Sequence, residues 1–371
     1  MTDCTCPGAG PGVGLSSAPG LDAVLGFLRT PAAHAAFAGD DVQVETVETH
    51  MSWVFLVGEH ALKLKKPVRH AFLDFTTLAA REFFCREEVR LNLRLAPGVY
   101  RGVMALQWQS GQFALVPEGG PQAVGQTVDW LVHMRRLPAA RMLDRAIADR
   151  VVGAAEIDAL IGVLVTFYRG ARATDADPAA YWARIQREHA ATRDVLLRPQ
   201  FRLHAAATVL NRFDHALALC RSALQERAAR GRIVDGHGDL RPEHVCLLQP
   251  PVVIDCLEFD PSLRQVDPFD EIAFLGLECE MAGAPWIAPQ LLAGCTAALG
   301  NAPPAALMGL YTAHRALLRA RFAAAHLLDA TPRTPHKWLP LARRYLAQAQ
   351  VALDAFESGE GFSAARSHDI A

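Results

Sequence analysis

Two histidines and two aspartates crowd one short stretch, "IVDGHGDLRPEHVCLLQPPVVIDCLEFD", Ile233 to Asp260. Asp239 follows His237 and Gly238 after one apolar run. Asp255 closes a second, "PVVID". Carboxylates at the ends of buried strands cost free energy unless they bind something. Two carboxylates a few ångströms apart with a nitrogen or oxygen donor beside them make a divalent-cation site, or a base next to one. Phosphoryl transfer needs both: one aspartate to orient the acceptor and another to hold a metal, with a second metal ligand five residues after the first aspartate. Here Asp239, Asp255 and His244 occupy those places, in the order of the kinase pattern H-R-D-L-x-x-x-N followed by D-F-G. The linker between the two apolar runs is short enough to pair them like a hairpin and bring both carboxylates to one side.

The rest of the chain supplies the elements that must hold this stretch. Residues 21–38 read as short helices. "VQVETVETHMSWVFLVGEHALKLKK" alternates, is rich in Val, Thr, Trp and Phe, and turns at Gly58-Glu59, which predicts strands in a meander. "TTLAAREFFCREEVRLNLRLAP" has helical spacing and stops at Pro97. "VYRGVMALQ", "QFALVPE" and "TVDWLVHMRRL" read as further strands. From Pro138 the chain is mainly helical, with strong segments at 153–172, 178–196, 204–230, 270–283, 303–329 and 337–357. The strand-loop island 233–260 interrupts them. The expectation is an α+β chain: a small β-rich lobe with one helix over 21–137, a larger helical lobe over 138–357, and tails at 1–20 and 358–371. A crevice between lobes is a common place for a ligand.

"HGDLRPEHV", "VIDCLEFDPSLRQVDPFDEIAFL" and the strand–helix pieces before them resemble the aminoglycoside phosphotransferase-like family, a branch of the protein-kinase-like fold. Asp267, Pro268, Glu271, Ile272 and Ala273 match its D-P-x-x-[DE]-[LI]-A run. The likeness is nearest to bacterial phosphotransferase-like proteins often fused to a P-loop kinase module, and spans roughly residues 40–330. No G-x-x-x-x-G-K-[ST] occurs in this chain.

The resemblance implies a bilobal protein-kinase-like fold with an antiparallel-sheet N-lobe, ATP and Mg²⁺ as cofactors, and a small-molecule hydroxyl as acceptor. It implies roles residue by residue. Asp239 would be the catalytic base and His237 its companion in the catalytic loop. Asp255 and His244 would take the metal positions. Lys63 would pair with nucleotide phosphates and Glu88 with that lysine, Lys65 and Glu87 being the runners-up. Ser52, in "THMSW", would donate to phosphate, and Met134, Arg135 and Leu137 would form the hinge that meets adenine. The chain departs from the family pattern at His244, where Asn is usual, and in a "THMSW" turn without glycine.

Composition bounds the partners. In 371 residues the formal net charge is -2, so no global field calls for nucleic acid or an anionic membrane. No apolar run approaches a membrane span. The first residues lack the basic and apolar regions of a secretory signal. Eight scattered cysteines fit reduced, core-filling thiols and a cytoplasmic setting, and the C-x-C of Cys4 and Cys6 lacks the further ligands of a metal site. Arg315 and Arg319, four apart on one helix face and next to His314 and Arg321, read either as an ion-paired face or as an anion-binding wall. Two other functions fit the same residues. One is a nucleotide-binding pseudokinase without turnover. The other is a metal-dependent hydrolase using His237, Asp239, His244 and Asp255 as ligands.

Overall fold

The computed structural model describes residues 19–39, 42–70, 73–118, 125–329 and 331–358. Cys4, Cys6 and nearly all of both expected tails lie outside them. The chain divides into two compact units, one comprising residues up to Val89 and Gly98–Arg136, the other Arg90–Pro97 and everything from Leu137.

The first unit is built on six antiparallel strands: β1 (Val44–Glu48), β2 (Ser52–Val57), β3 (His60–Lys65), β6 (Tyr100–Gln109), β7 (Gln112–Pro117) and β8 (Gln126–Arg135), in the order β1-β2-β3-β8-β6-β7. A two-stranded ribbon, β4 (Arg69–His70) with β5 (Leu73–Asp74), stands apart from it. Helices α1 (Leu21–Leu28), α2 (Ala35–Ala38) and α3 (Leu78–Asn92) complete the unit, except that the last residues of α3 belong to the second one. Alternation sorts the side chains. Trp53, Phe55, Val57, Leu62, Leu64, Met104, Leu106 and Leu131 pack with Val24, Leu25 and Leu28 of α1. Phe55, fully buried, contributes on the order of 1.5–3 kcal/mol by that burial. The alternate positions Lys63 and Lys65 therefore lie on the other face, where Arg81 of α3 ties down Asp129 at 2.7 Å.

In the second unit, α4 (Leu143–Ala148), α5 (Ala154–Gly170), α6 (Pro178–Leu196), α7 (Ala206–Leu219) and α8 (Arg221–Ala229) precede four two-residue strands. These are β9 (Val234–Asp235), β10 (Val245–Cys246), β11 (Val252–Val253) and β12 (Gln265–Val266). Then come α9 (Pro268–Met281), α10 (Ile287–Leu299), α11 (Ala305–Ala325) and α12 (Pro335–Ser358). Local sequence starts these helices well. Asp177 and Asp267 each cap the helix that follows, with Pro at the first helical position. α9 is buried along nearly its whole length, as its apolar, moment-poor sequence requires of a central helix.

Three sequence expectations need correction. The single helix over 204–230 is two, α7 and α8, meeting at Cys220. α10 lies outside the expected segments. The expected hairpin joining the Asp239 and Asp255 runs does not form. The hairpin there is β10 with β11, downstream of Asp239, whereas β9 pairs with β12 thirty residues on. Side-by-side strands far apart in sequence cannot be read from local pattern alone.

Candidate active site

In the first unit, β3 presents Lys63 and Lys65 to a single carboxylate of α3. Lys63 Nζ lies 2.9 Å from Glu88 Oε1 and Lys65 Nζ 2.6 Å from Glu88 Oε2. Glu88 is fully buried and Lys65 is 1% exposed, while 15% of the Lys63 side chain is open. Lys63 and its runner-up Lys65 thus share Glu88, and Lys63 is the one with access to solvent. Glu87, one residue earlier on the helix, is half-buried. Ser52 is buried at the head of β2, opposite Lys65 in the ladder, with its backbone tied to Thr49.

At the end of β8, Met134 pairs with Ala61 on one side and Tyr100 on the other. The Arg135 amide donates to Val99 O at 2.8 Å, within the sheet. Leu137 is the first residue of the second unit beyond this strand.

In the second unit, the loop after β9 carries His237 and Asp239. Gly238 has φ +91°, and a side chain there would meet Leu257 Cδ1 at 2.9 Å, so only glycine fits. The Glu271 carboxylate of α9, buried and pushed up in pKa by that burial, accepts the backbone amides of His237 and Gly238 and the Tyr168 hydroxyl. His237 is fully buried. Its Nε2 bonds Ile254 O at 2.9 Å and its Nδ1 accepts the Asp239 amide at 3.2 Å. Burial lowers its pKa to about 4, with nearby His244 adding to the effect. With both nitrogens committed, His237 braces the loop that carries Asp239.

Asp239 is shaped by opposing effects. Burial alone would raise its pKa. The Arg241 guanidinium, 2.8 Å away, and His244 outweigh burial and hold the carboxyl below its ordinary range, leaving it ionised at neutral pH. Arg241 also pairs with Glu243. Sequence reading gave Arg241 no role, although it stands two residues after Asp239 in the loop.

Asp255 sits in left-handed backbone, φ +62°, an uncommon state for a residue with a side chain. Its neighbours hold it there. Ile254 N donates to His244 O at 2.9 Å, Cys256 N to Asn92 Oδ1 at 2.9 Å, and Leu257 N to His237 O at 3.1 Å. Strain retained under such bracing is characteristic of functional positions. His244 Nε2 lies 3.5 Å from Asp255 Oδ2. His237, Asp239, His244 and Asp255 are therefore brought together, though not by the expected hairpin.

The arginines of α11 do not form an anion-binding wall. Arg315 is held by both oxygens of Asp270, at 2.8 and 2.7 Å, and Arg319 by Glu278 at 2.9 Å. A cavity of about 170 Å³ adjoins the loop, lined among others by Pro242, Glu243, Glu278, Met281, Arg344 and Tyr345. A larger groove of about 320 Å³, around Trp182, His189, Arg193 and Asp214, holds no residue of the loop. The six described cysteines are all buried, and no described helix is long and apolar enough to cross a membrane.

No family model matches the sequence. Uncharacterized proteins of Mycobacterium tuberculosis and Mycobacterium bovis are 30% identical over 331 residues, 85% of this chain and 62% of theirs. The chain thus spans less than two thirds of the length of the curated relatives it matches. Among solved structures, a choline kinase from Cryptosporidium parvum aligns with TM-score 0.56 at 9% identity, covering 91% of this chain and 97% of the other. A choline/ethanolamine kinase family protein from Mesorhizobium loti aligns with TM-score 0.51 at 15% identity, covering 89% of this chain and 96% of the other. The chain shares the fold of these two kinase structures, an antiparallel-sheet unit and a larger helical unit.

Proposed function

We propose that this chain is an ATP-dependent phosphotransferase acting on a hydroxyl of a small molecule. The observation that carries the reading is the Asp239–Asp255 pair. One carboxylate is kept ionised by Arg241 on a loop braced by His237 and Glu271. The other is held in strained backbone next to His244. The likeness in fold to choline kinases supports it.

In this reading Asp239 accepts the hydrogen bond, and then the proton, of the acceptor hydroxyl. The acceptor oxygen forms the new bond to phosphorus as the bond to the nucleotide's bridging oxygen breaks, and the proton leaves through Asp239 to solvent. Lys63, oriented by Glu88, meets the nucleotide's phosphates. Ser52 is the candidate for the phosphate end, and Met134, Arg135 and Leu137 are those for the adenine end. The cavity beside Pro242 and Glu243 is the place for the acceptor. Most of the rate enhancement comes from positioning and charge neutralisation. A divalent cation, when bound, neutralises charge on the transferred phosphate. The Asp255 carboxylate suits a hard cation such as Mg²⁺, but the imidazole of His244 does not match magnesium's preference for oxygen.

Calorimetric titration of ATP, with and without divalent cation, tests the reading on the wild type and Asp255→Ala. The cation should tighten ATP binding in the wild type and not in the variant. Absence of ATP binding under both conditions refutes it. A nucleotide-binding module without turnover is the second reading, suggested by His244 at the position where Asn is usual. Product formation that disappears in Asp239→Asn excludes it.

A further inference from the structure

We propose that His244 makes the metal position of this chain select a transition-metal dication over magnesium. The inference rests on the nucleotide–metal reading above and adds to it the identity of the ion.

The argument begins with the tautomer. His244 Nδ1 lies 2.8 Å from the Asp239 carbonyl oxygen, which can only accept, so Nδ1 carries the proton. Nε2 therefore presents a lone pair. The other side of the ring agrees: Arg241 Nη2, which can only donate, lies 3.2 Å from Nε2. A metal-binding histidine has this tautomer, one nitrogen donating to a backbone carbonyl and the other holding a lone pair, which here accepts from Arg241. The His244 side chain is 9% exposed and is fixed by the Pro242–His244 turn, whereas 43% of the Asp255 side chain is open. The ligand atoms are thus oriented from behind and reachable from in front.

Spacing agrees with a shared ion. Two donors each about 2.1 Å from one metal, at an angle of about 110°, lie roughly 3.5 Å apart. Nε2 and Asp255 Oδ2 are 3.5 Å apart. An ion there displaces Arg241 Nη2 from the Nε2 lone pair, so loading the site requires the guanidinium to swing away from the ring.

Chemistry then sets the preference. Magnesium demands oxygen donors and gives up water reluctantly. Imidazole binds first-row transition dications more tightly, with affinity rising along the series from Mn²⁺. An asparagine at 244 would offer a carbonyl oxygen and remove the distinction.

Mn²⁺ with the β,γ-methylene analogue of ATP is the probe, read by pulsed electron paramagnetic resonance. The wild type should show modulation from a directly bound ¹⁴N nucleus, and labelling histidine with ¹⁵N should convert it to the ¹⁵N pattern, which separates it from adenine nitrogen. His244→Asn should abolish it. The Mg²⁺ concentration needed to displace half of the Mn²⁺ should fall in His244→Asn by at least about tenfold, the lower end of what altering a ligand's surroundings costs. Mn²⁺ and analogue bound without histidine modulation would overturn the metal preference and leave the phosphotransferase reading intact. Failure of both to bind the wild type would overturn the two together.

Discussion

Acidification from pH 7 to pH 5 should weaken the second unit through His237, by an amount that can be worked out. The ring's pKa falls from the ordinary 6.5 to about 4, chiefly because burial excludes the charged form. A lowered histidine pKa means the unfolded chain binds more protons than the folded one between those values. Stability is then fully present above about 6.5, is lost as pH falls toward 4, and changes no further below that. At pH 5 the unfolded imidazole is nearly all protonated and the folded one about a tenth so. Integrated from pH 7, the difference is roughly 2 kcal/mol, at about 1.4 kcal/mol per pH unit for a full proton. His133 and His189 are also lowered to about 4, so the effect of His237 must be isolated by comparison. Urea denaturation of wild type and His237→Gln at both pH values does this, because the shared contributions cancel. The variant should be less stable at pH 7, having lost the bonds to Ile254 and Asp239, yet should lose about 2 kcal/mol less on acidification. Equal losses in the two proteins, or a His237 ring that titrates near 6.5 by nuclear magnetic resonance, would refute the account of His237 as a neutral brace.

Two further outcomes follow from packing. Gly238→Ala places a side chain at φ +91° and 2.9 Å from Leu257 Cδ1, which should cost about 1–3 kcal/mol in urea denaturation. A loss under about 0.5 kcal/mol would mean the loop absorbs the change. Glu88→Gln leaves the ammonium groups of Lys63 and Lys65 without the carboxylate that both contact. Removing one partner of a buried ion pair typically costs about 3–5 kcal/mol. Glu88→Gln combined with Lys65→Met should recover part of that loss, and no recovery would place the cost elsewhere than in the buried Lys65–Glu88 contact.

Much of this protein is determined locally and is legible in order along the chain. Alternation in "SWVFLV" and "HALKLK" sets which face is buried, and so puts Lys63 and Lys65 on one side of the sheet without reference to any other segment. Asp267-Pro268 states where α9 begins because a cap and a fixed φ act within a few residues. The residue types around Asp239 and Asp255 raise the expectation of metal and phosphate chemistry by themselves. The tertiary structure decides whatever depends on a partner far along the chain. It pairs β9 with β12 in place of the expected hairpin. It gives Arg315 to Asp270 and Arg319 to Glu278, removing the wall that helical spacing suggested. It sets the partners of His237, burying the ring against Ile254 O. It also fixes which nitrogen of His244 faces Asp255. Periodicity and capping act over one or two turns of chain, so sequence displays them directly. Charge state, tautomer and ion pairing depend on which groups folding brings within a few ångströms, and only the assembled structure holds that information.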